Sequence, residues 1–355
     1  MLQNQTDPLD QLADNETNLN KYKDAGLVAT KVMNALVKLC KPNKNLYELI
    51  EKGNELIKNE LLNVQKDVTS KGIIFPICLS LNNVAAYYQP NKTEVLKDGD
   101  LLKIELGVHI DGFPAQIAFT TLVTNSQVKV TDKRSNVMKA AIEASREIGK
   151  AMKPGTLNTE IVKIMENCAK KYNCSLPMSS ENGLIPGVNS FQISRYIIDG
   201  YTDDDVEFVH RFILSRTNPL YDFTLMELPL EENEVYAIDI LMSSGQGKLT
   251  KTHDTNIFKR NYERREELKL KASRNVLNMF KSKEQGSYPI ILNAQDPATK
   301  MGLKECINKG VIDVYPVVGE KDGEFTARIK FTIIVRDKPI IICAKQADHE
   351  LTKLD

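Results

Sequence analysis

Residues 103–120, KIELGVHIDGFPAQIAFT, hold two polar side chains at a spacing that brings them together. Asp111-Gly112 is a two-residue turn signal, because a type I′ turn needs positive φ at both central positions. Pairing Ile110 with Phe113 sets Gly107 opposite Gln116 and Glu105 opposite Ala118. Glu105 and Gln116 then become diagonal neighbours on one face, close enough to act together over a glycine. Two polar side chains converging over a glycine look like a site, and the question is whether it does chemistry. The opposite face, Leu102, Ile104, Leu106, Val108 and Ile110 with Phe113, Ala115, Ile117 and Phe119, is read as core. A late strand, GEFTARIKFTIIV (323–335), repeats the pattern. There Phe325, Ala327, Ile329, Phe331 and Ile333 alternate with Thr326, Arg328, Lys330 and Thr332, so Lys330 also stands on a polar face.

Other chemical groups are less suggestive. His109, beside the turn, reads as structural. Ser243-Ser244-Gly245-Gln246-Gly247 lacks the Lys-Ser/Thr of a phosphate loop and reads as a turn. Asp203-Asp204-Asp205 lacks the spaced ligands and glycine turn of a calcium loop, so it is expected to be solvated. It sits in a stretch, 199–234, with ten Asp or Glu against two Arg. KRNYERREELKLKASR (259–274) is the opposite, with seven Lys or Arg against three Glu. Helical spacing would put Arg260, Arg264, Lys271 and Arg274 on one broad face. That face is either solvated and laced with Glu–Lys/Arg pairs or a surface for phosphates.

The elements that must position these groups follow from periodicity. Tyr22–Leu39 and about 46–62 read as amphipathic helices, the first stopped by Lys41-Pro42. Strands follow in GIIFPICLSLNN and the hairpin. Two more helices, 133–152 and 156–172, precede strands near 193–198 and at 234–242. Helix pair then strands, twice, suggests two related halves. Between about 255 and 312 the pattern turns helical and charged. The expected organisation is a flexible tail over 1–19, one domain over 20–340 and a C-terminal tail over 341–355.

Composition excludes several classes. Net charge is zero, so nucleic-acid binding must come from a local patch. The N-terminus has no basic-then-apolar signal, and no run approaches the ~20 apolar residues of a membrane span. Six cysteines without Cys-x-x-Cys spacing read as reduced, mostly buried thiols.

FPICLSLNNVAAYYQPN (75–91), the hairpin, EVYAIDILMSSGQGK (234–248) and EFTARIKFTIIV together resemble the type II methionine aminopeptidases. The resemblance implies an α+β pita-bread fold, two pseudo-symmetric halves around a curved antiparallel sheet, with a helical insert at about 249–312. Active members hold two divalent metals with two Asp, one His and two Glu, and use a further His near the substrate. Carried over, the Asp positions fall on Glu105 and Gln116, and the Glu positions on Asp239 and Lys330. The metal-binding His belongs near Gly187-Val188-Asn189-Ser190, yet no histidine lies between 110 and 209. The substrate-side His falls on Tyr87.

A two-metal site clamps reacting oxygens between cations about 4 Å apart, and its ligands must be mostly anionic or imidazole. Here one is a neutral amide and one an ammonium. The metal site is expected to be lost, with no cofactor, and Lys330 to pair with Glu105 or Asp239.

That pattern of loss is similar to the proliferation-associated (ErbB-receptor-binding) and curved-DNA-binding proteins. It implies a non-catalytic, monomeric protein of cytoplasm and nucleus or nucleolus, bound to rRNA and the large ribosomal subunit near the peptide exit tunnel. Lys259, Arg260, Arg264, Arg265, Lys269, Lys271 and Arg274 are the candidate RNA contacts. The other readings are a residual metallo-aminopeptidase with an altered metal site and a DNA-binding transcriptional regulator, with DNA and transcriptional regulators as the further partners.

Overall fold

The computed structural model describes residues 13, 15–177, 190–199, 212–215, 227–262, 264, 266–280 and 288–355. Helix α1 (Glu16–Leu39) buries Ala25, Val28, Ala29, Val32 and Leu36 at the helical spacing read from the sequence, together with Tyr22 and Met33, while Leu39 at its end is exposed. It starts inside the segment expected as tail, because the Asn15 side chain accepts the Thr17 N–H and caps it. At Gly26 a Cβ would lie 2.1 Å from the Ile342 carbonyl oxygen, so only glycine lets this helix approach the sheet so closely. Helix α2 spans Leu46–Leu62.

Next come β1 (Lys71–Leu81), β2 (Val84–Ala86) and the hairpin strands β3 (Leu101–Ile110) and β4 (Phe113–Leu122). Asp111 and Gly112 have φ of 52° and 83°, as the turn requires. The register is the expected one, with Gly107 opposite Gln116 and Glu105 opposite Ala118. Helices α3 (Lys133–Ala151) and α4 (Asn158–Lys171) follow, then β5 (Ser190–Gln192), β6 (Phe212–Ile213) and β7 (Val235–Ser243). The strand expected at 193–198 is displaced. Ser194 and Ile197 bridge a tight turn through Tyr196, whose φ is +66°, and the extended segment is β5.

The insert is a mixed unit rather than a helical one. It holds β8 (Thr250–Lys251), β9 (Ile257–Arg260), α5 (Lys271–Met279), β10 (Ile290–Ile291), α6 (Pro297–Asn308) and β11 (Ile312–Val314). Strand β9 lies between β10 and β11. Phe258, Leu268, Val276, Phe280, Leu303, Cys306 and Ile312 make a separate apolar core there. The chain returns through β12 (Val318–Gly319) to β13 (Thr326–Ile334), β14 (Ile340–Cys343) and α7 (Asp348–Leu351). Residues expected as a C-terminal tail are packed. Strand β14 pairs with β13, and the buried Glu350 carboxylate accepts from the Thr121 hydroxyl and the Leu122 N–H.

The main antiparallel sheet runs β1-β3-β4-β13-β7-β5-β6, with β14 also on β13. α1 packs on β3 and β4 of the first half, and α3 on β7 and β13 of the second. One core joins all four long helices to a single sheet face, including Ile104, Leu106, Ile117, Ile240, Ile329 and Phe331. The halves meet at β4 and β13, where hydroxyls replace most of the ladder. The Gln116 N–H donates to Thr332 Oγ1 at 2.9 Å, and the Arg328 N–H to Thr120 Oγ1 at 2.7 Å.

Candidate functional site

The polar sheet face is not solvated. Ile74, Phe75, Cys78, Ala86, Tyr87, Ile198, Ile257, Tyr288 and Tyr315 form a second apolar cluster. Phe75, Tyr87 and Tyr315 pack mutually edge-on or tilted at 5.3–5.6 Å. Strands β3, β4, β13 and β7 are therefore buried at every residue, which corrects the expectation of one buried and one open face.

One row of the sheet places the site. Glu105 faces Ala118, Ala118 faces Lys330, and Lys330 faces Asp239, across four adjacent strands. Neighbouring strands are ~4.8 Å apart, so Glu105 and Lys330 meet only because the residue between them is small. Lys330 Nζ lies 2.8 Å from Glu105 Oε1 and 3.0 Å from Asp239 Oδ2. The sequence posed these two pairings as alternatives; both form.

Arg328, two residues earlier on the same face, makes the larger contribution. Its guanidinium donates to Asp239 at 2.8 and 2.6 Å and to Glu105 at 2.7 and 3.0 Å, bidentate to both carboxylates. It also stacks 5.1 Å from the Tyr87 ring centre and donates to the Tyr87 hydroxyl at 3.4 Å. Arg328 is 1% exposed and Asp239 fully buried. Period-2 alternation already put Arg328 beside Lys330. Alternation alone does not tell a buried guanidinium from a solvated one, so its role is visible only in the structure.

The electrostatics close on themselves, with two carboxylates, two cations and no excess charge. Burial alone would raise the Asp239 carboxyl, but the Arg328 guanidinium and the Lys330 ammonium hold it below the usual range. Burial pushes the Cys78 thiol and the Tyr87 phenol well up, so neither is a nucleophile or base near neutrality. Gln116 accepts from Lys330 at 3.4 Å and donates to the Ile198 carbonyl at 3.2 Å, which fixes its amide.

These residues do not fit a divalent metal pair. Every carboxylate oxygen of Glu105 and Asp239 already accepts from a fixed cation, and Gln116 offers only an amide oxygen. Among the described residues no three His, Cys, Asp or Glu side chains gather to hold an ion. Ser190 serves instead as a brace, accepting the Asp239 N–H at 2.8 Å. Gly187, Val188 and Asn189 lie outside the described residues, as does Asp203-Asp204-Asp205.

His109 is structural. Its Nδ1 accepts the Gly112 N–H at 3.2 Å, and its ring lies 4.8 Å from that of Tyr288. Burial pushes the imidazole down from 6.5 to about 4, against the opposing pull of Asp111. The folded value lies below the unfolded one, so this contribution is whole above pH 6.5 and lost as pH falls toward 4. The loss amounts to roughly 3 kcal/mol at most. His109→Asn keeps an acceptor and removes the titration. Urea unfolding at pH 6.5, 5.5 and 4.5 should give a flatter profile for the variant. Equal slopes would assign the acid loss to other groups.

The seven insert cations do not share a helix face. Lys259 and Arg260 belong to β9, and α5 begins only at Lys271. Lys259 is held by Asp199, which also accepts from the Tyr315 hydroxyl. Arg274 Nη1 donates to the Leu268 and Lys269 carbonyls at 2.7 and 3.2 Å, tying the loop before α5. Arg260 lies over the Tyr262 ring at 4.8 Å. Arg264, Lys269 and Lys271 are exposed, and Arg265 lies outside the described residues. On α6, Lys300 and Lys304 add exposed charge that the sequence reading did not include. The Ser243–Gly247 turn is clamped by Glu320, which accepts from Ser243 Oγ at 2.9 Å and the Gly247 N–H at 2.8 Å.

Residues 20–337 match metallopeptidase family M24. The chain is 32% identical to ErbB-3 binding protein 1 of Arabidopsis thaliana, over 89% of this chain and 77% of that protein. It is 33% identical to the curved DNA-binding protein of Schizosaccharomyces pombe, over 95% and 85%. Among solved structures, a thermophilic Arx1 matches with a TM-score of 0.79 at 23% identity, covering 96% of this chain and 94% of that one. The chain therefore has the pita-bread fold and belongs to metallopeptidase family M24, in its group of proliferation-associated, ErbB-3-binding and curved-DNA-binding proteins.

Proposed function

We propose that this protein is a non-catalytic relative of the methionine aminopeptidases that binds the ribosome and RNA. Its site would be on the large subunit near the peptide exit tunnel, with a role in ribosome biogenesis, translation or growth control. It would work in the cytoplasm and the nucleus or nucleolus, as a monomer without cofactor. The observation that carries the loss of chemistry is the Arg328–Lys330 pair, which claims both carboxylates that could ligate a metal. A guanidinium cannot be deprotonated near neutrality, so it cannot yield its place to a dication without a large conformational cost. The name of the fission-yeast relative, curved DNA-binding protein, supports nucleic acid as the ligand class. Exposed cations on the insert supply a surface for it.

Two measurements test the reading. Purified protein equilibrated with Co, Mn or Zn should retain no stoichiometric metal and release no methionine from Met-Ala-Ser. Sedimentation with large ribosomal subunits should show saturable binding that weakens steeply with salt. One tightly held metal per chain, with turnover stopped by a chelator, would instead make this an aminopeptidase. Failure to co-sediment at low salt would remove the ribosome as partner.

A further inference from the structure

The run read as a helix ends in a different device. Strand β9 delivers Arg260 and the chain leaves the sheet at Asn261, whose N–H donates to the Val311 carbonyl at 3.0 Å. The Asn261 side chain accepts the Arg264 N–H at 3.3 Å. Tyr262 thus follows directly on a residue that is tied to the insert sheet. Tyr262 is 36% exposed, unlike Tyr87, Tyr288 and Tyr315, which are buried. The Arg260 guanidinium covers it at 4.8 Å, while the buried Arg260 Nε has no hydrogen-bond partner among the described residues. Neighbouring charge is also arranged unequally. Glu266 pairs with Lys309 at 3.3 Å, whereas exposed Arg264, Lys269 and Lys271 form no ion pair among the described residues and outnumber the one exposed carboxylate, Glu267, that also forms none there.

We infer that Arg260 and Tyr262 form a stacking platform for one unpaired nucleobase, with Arg264, Lys269 and Lys271 placed for the phosphates beside it. An aromatic face accepts any base, and a guanidinium on the ring adds cation–π attraction. Within a duplex the base faces are stacked on each other, so the platform selects single strands. This rests on the RNA-binding reading above and specifies which form of RNA the insert takes.

The test is fluorescence anisotropy of the full chain with a U12 oligomer, a dT12 oligomer and a 12-base-pair RNA duplex. Tyr262→Ala should weaken U12 binding on the order of 10- to 100-fold, with the salt slope unchanged because no charge is lost. Tyr262→Phe should bind as wild type, and duplex binding should not respond to either change. Arg260→Gln should weaken U12 binding with little change in its salt slope, since Arg264, Lys269 and Lys271 meet the phosphates. Equal loss with dT12 would extend the platform to single-stranded DNA; loss confined to U12 would assign it to RNA. If wild type binds U12 and Tyr262→Ala binds equally well, the platform is wrong while the RNA-binding reading stands. Wild type binding none of the three would overturn both. Unchanged melting temperatures for Tyr262→Ala and Tyr262→Phe, at an exposed residue, confirm that the loss is not one of fold, and Arg260→Gln, at a half-buried residue, is read only if its melting temperature is also unchanged.

Discussion

Arg328→Met is expected to destabilise the protein by about 3–5 kcal/mol, the range found when one partner of a buried ion pair is removed. Methionine fills much the same volume, so little of the cost comes from a cavity. It comes from Glu105 and Asp239, which are left buried with one ammonium between them and lose four hydrogen bonds to the guanidinium. Lys330→Met should cost less, because Arg328 still bridges both carboxylates. Lys251→Met, at a side chain 64% exposed, should change stability by no more than about 0.5 kcal/mol. Replacing all four charged groups together with neutral residues should recover much of the loss, since a well-packed neutral core avoids the desolvation of every ion. Guanidinium denaturation of the four variants gives the numbers. A cost below about 1 kcal/mol for Arg328→Met would mean that water reaches the centre and that the aromatic lid does not seal it.

Reversing Arg264, Lys269 and Lys271 to glutamate should release the protein from large ribosomal subunits at salt where wild type still pellets. Each phosphate contact contributes about 0.7–0.9 to the log–log salt slope, so losing three should flatten it by about 2 to 3. The set differs from the one helical spacing would choose. Lys259 is committed to Asp199 and Arg274 to backbone carbonyls, so reversing either would damage the insert rather than its surface. Arg264, Lys269 and Lys271 are exposed, and a carboxylate at the first residue of α5 suits the helix dipole. The same pelleting midpoint in the triple variant would move the search to Lys66 and Lys92. Lys71 is excluded there, since its ammonium donates to the Val64 and Gln65 carbonyls at 2.8 and 3.1 Å.

Short-range features were legible in the sequence by itself. The Asp111-Gly112 turn and period-2 alternation determine the β3–β4 register residue by residue, because a hairpin brings together positions that are neighbours in the chain. The same holds for α1 to α4, whose apolar stripes are local. That Gln116 and Lys330 are poor metal ligands also followed from residue type alone, once a resemblance said which positions to compare. What only the tertiary structure decided is the row Glu105–Ala118–Lys330–Asp239, which joins strands far apart in the chain. Nothing in EFTARIKFTIIV says that Arg328 reaches both carboxylates rather than solvent. That depends on β13 lying between β4 and β7, and on Tyr87 and its aromatic neighbours covering the face. The basic run failed for a related reason. KRNYERREELKLKASR has good helix formers, yet pairing of β9 with β10 and β11 and burial of Phe258 in the insert core hold its first residues extended. Helix propensity is worth tenths of a kcal/mol per residue, and burying one phenylalanine about 1.5–3 kcal/mol, so the non-local term wins.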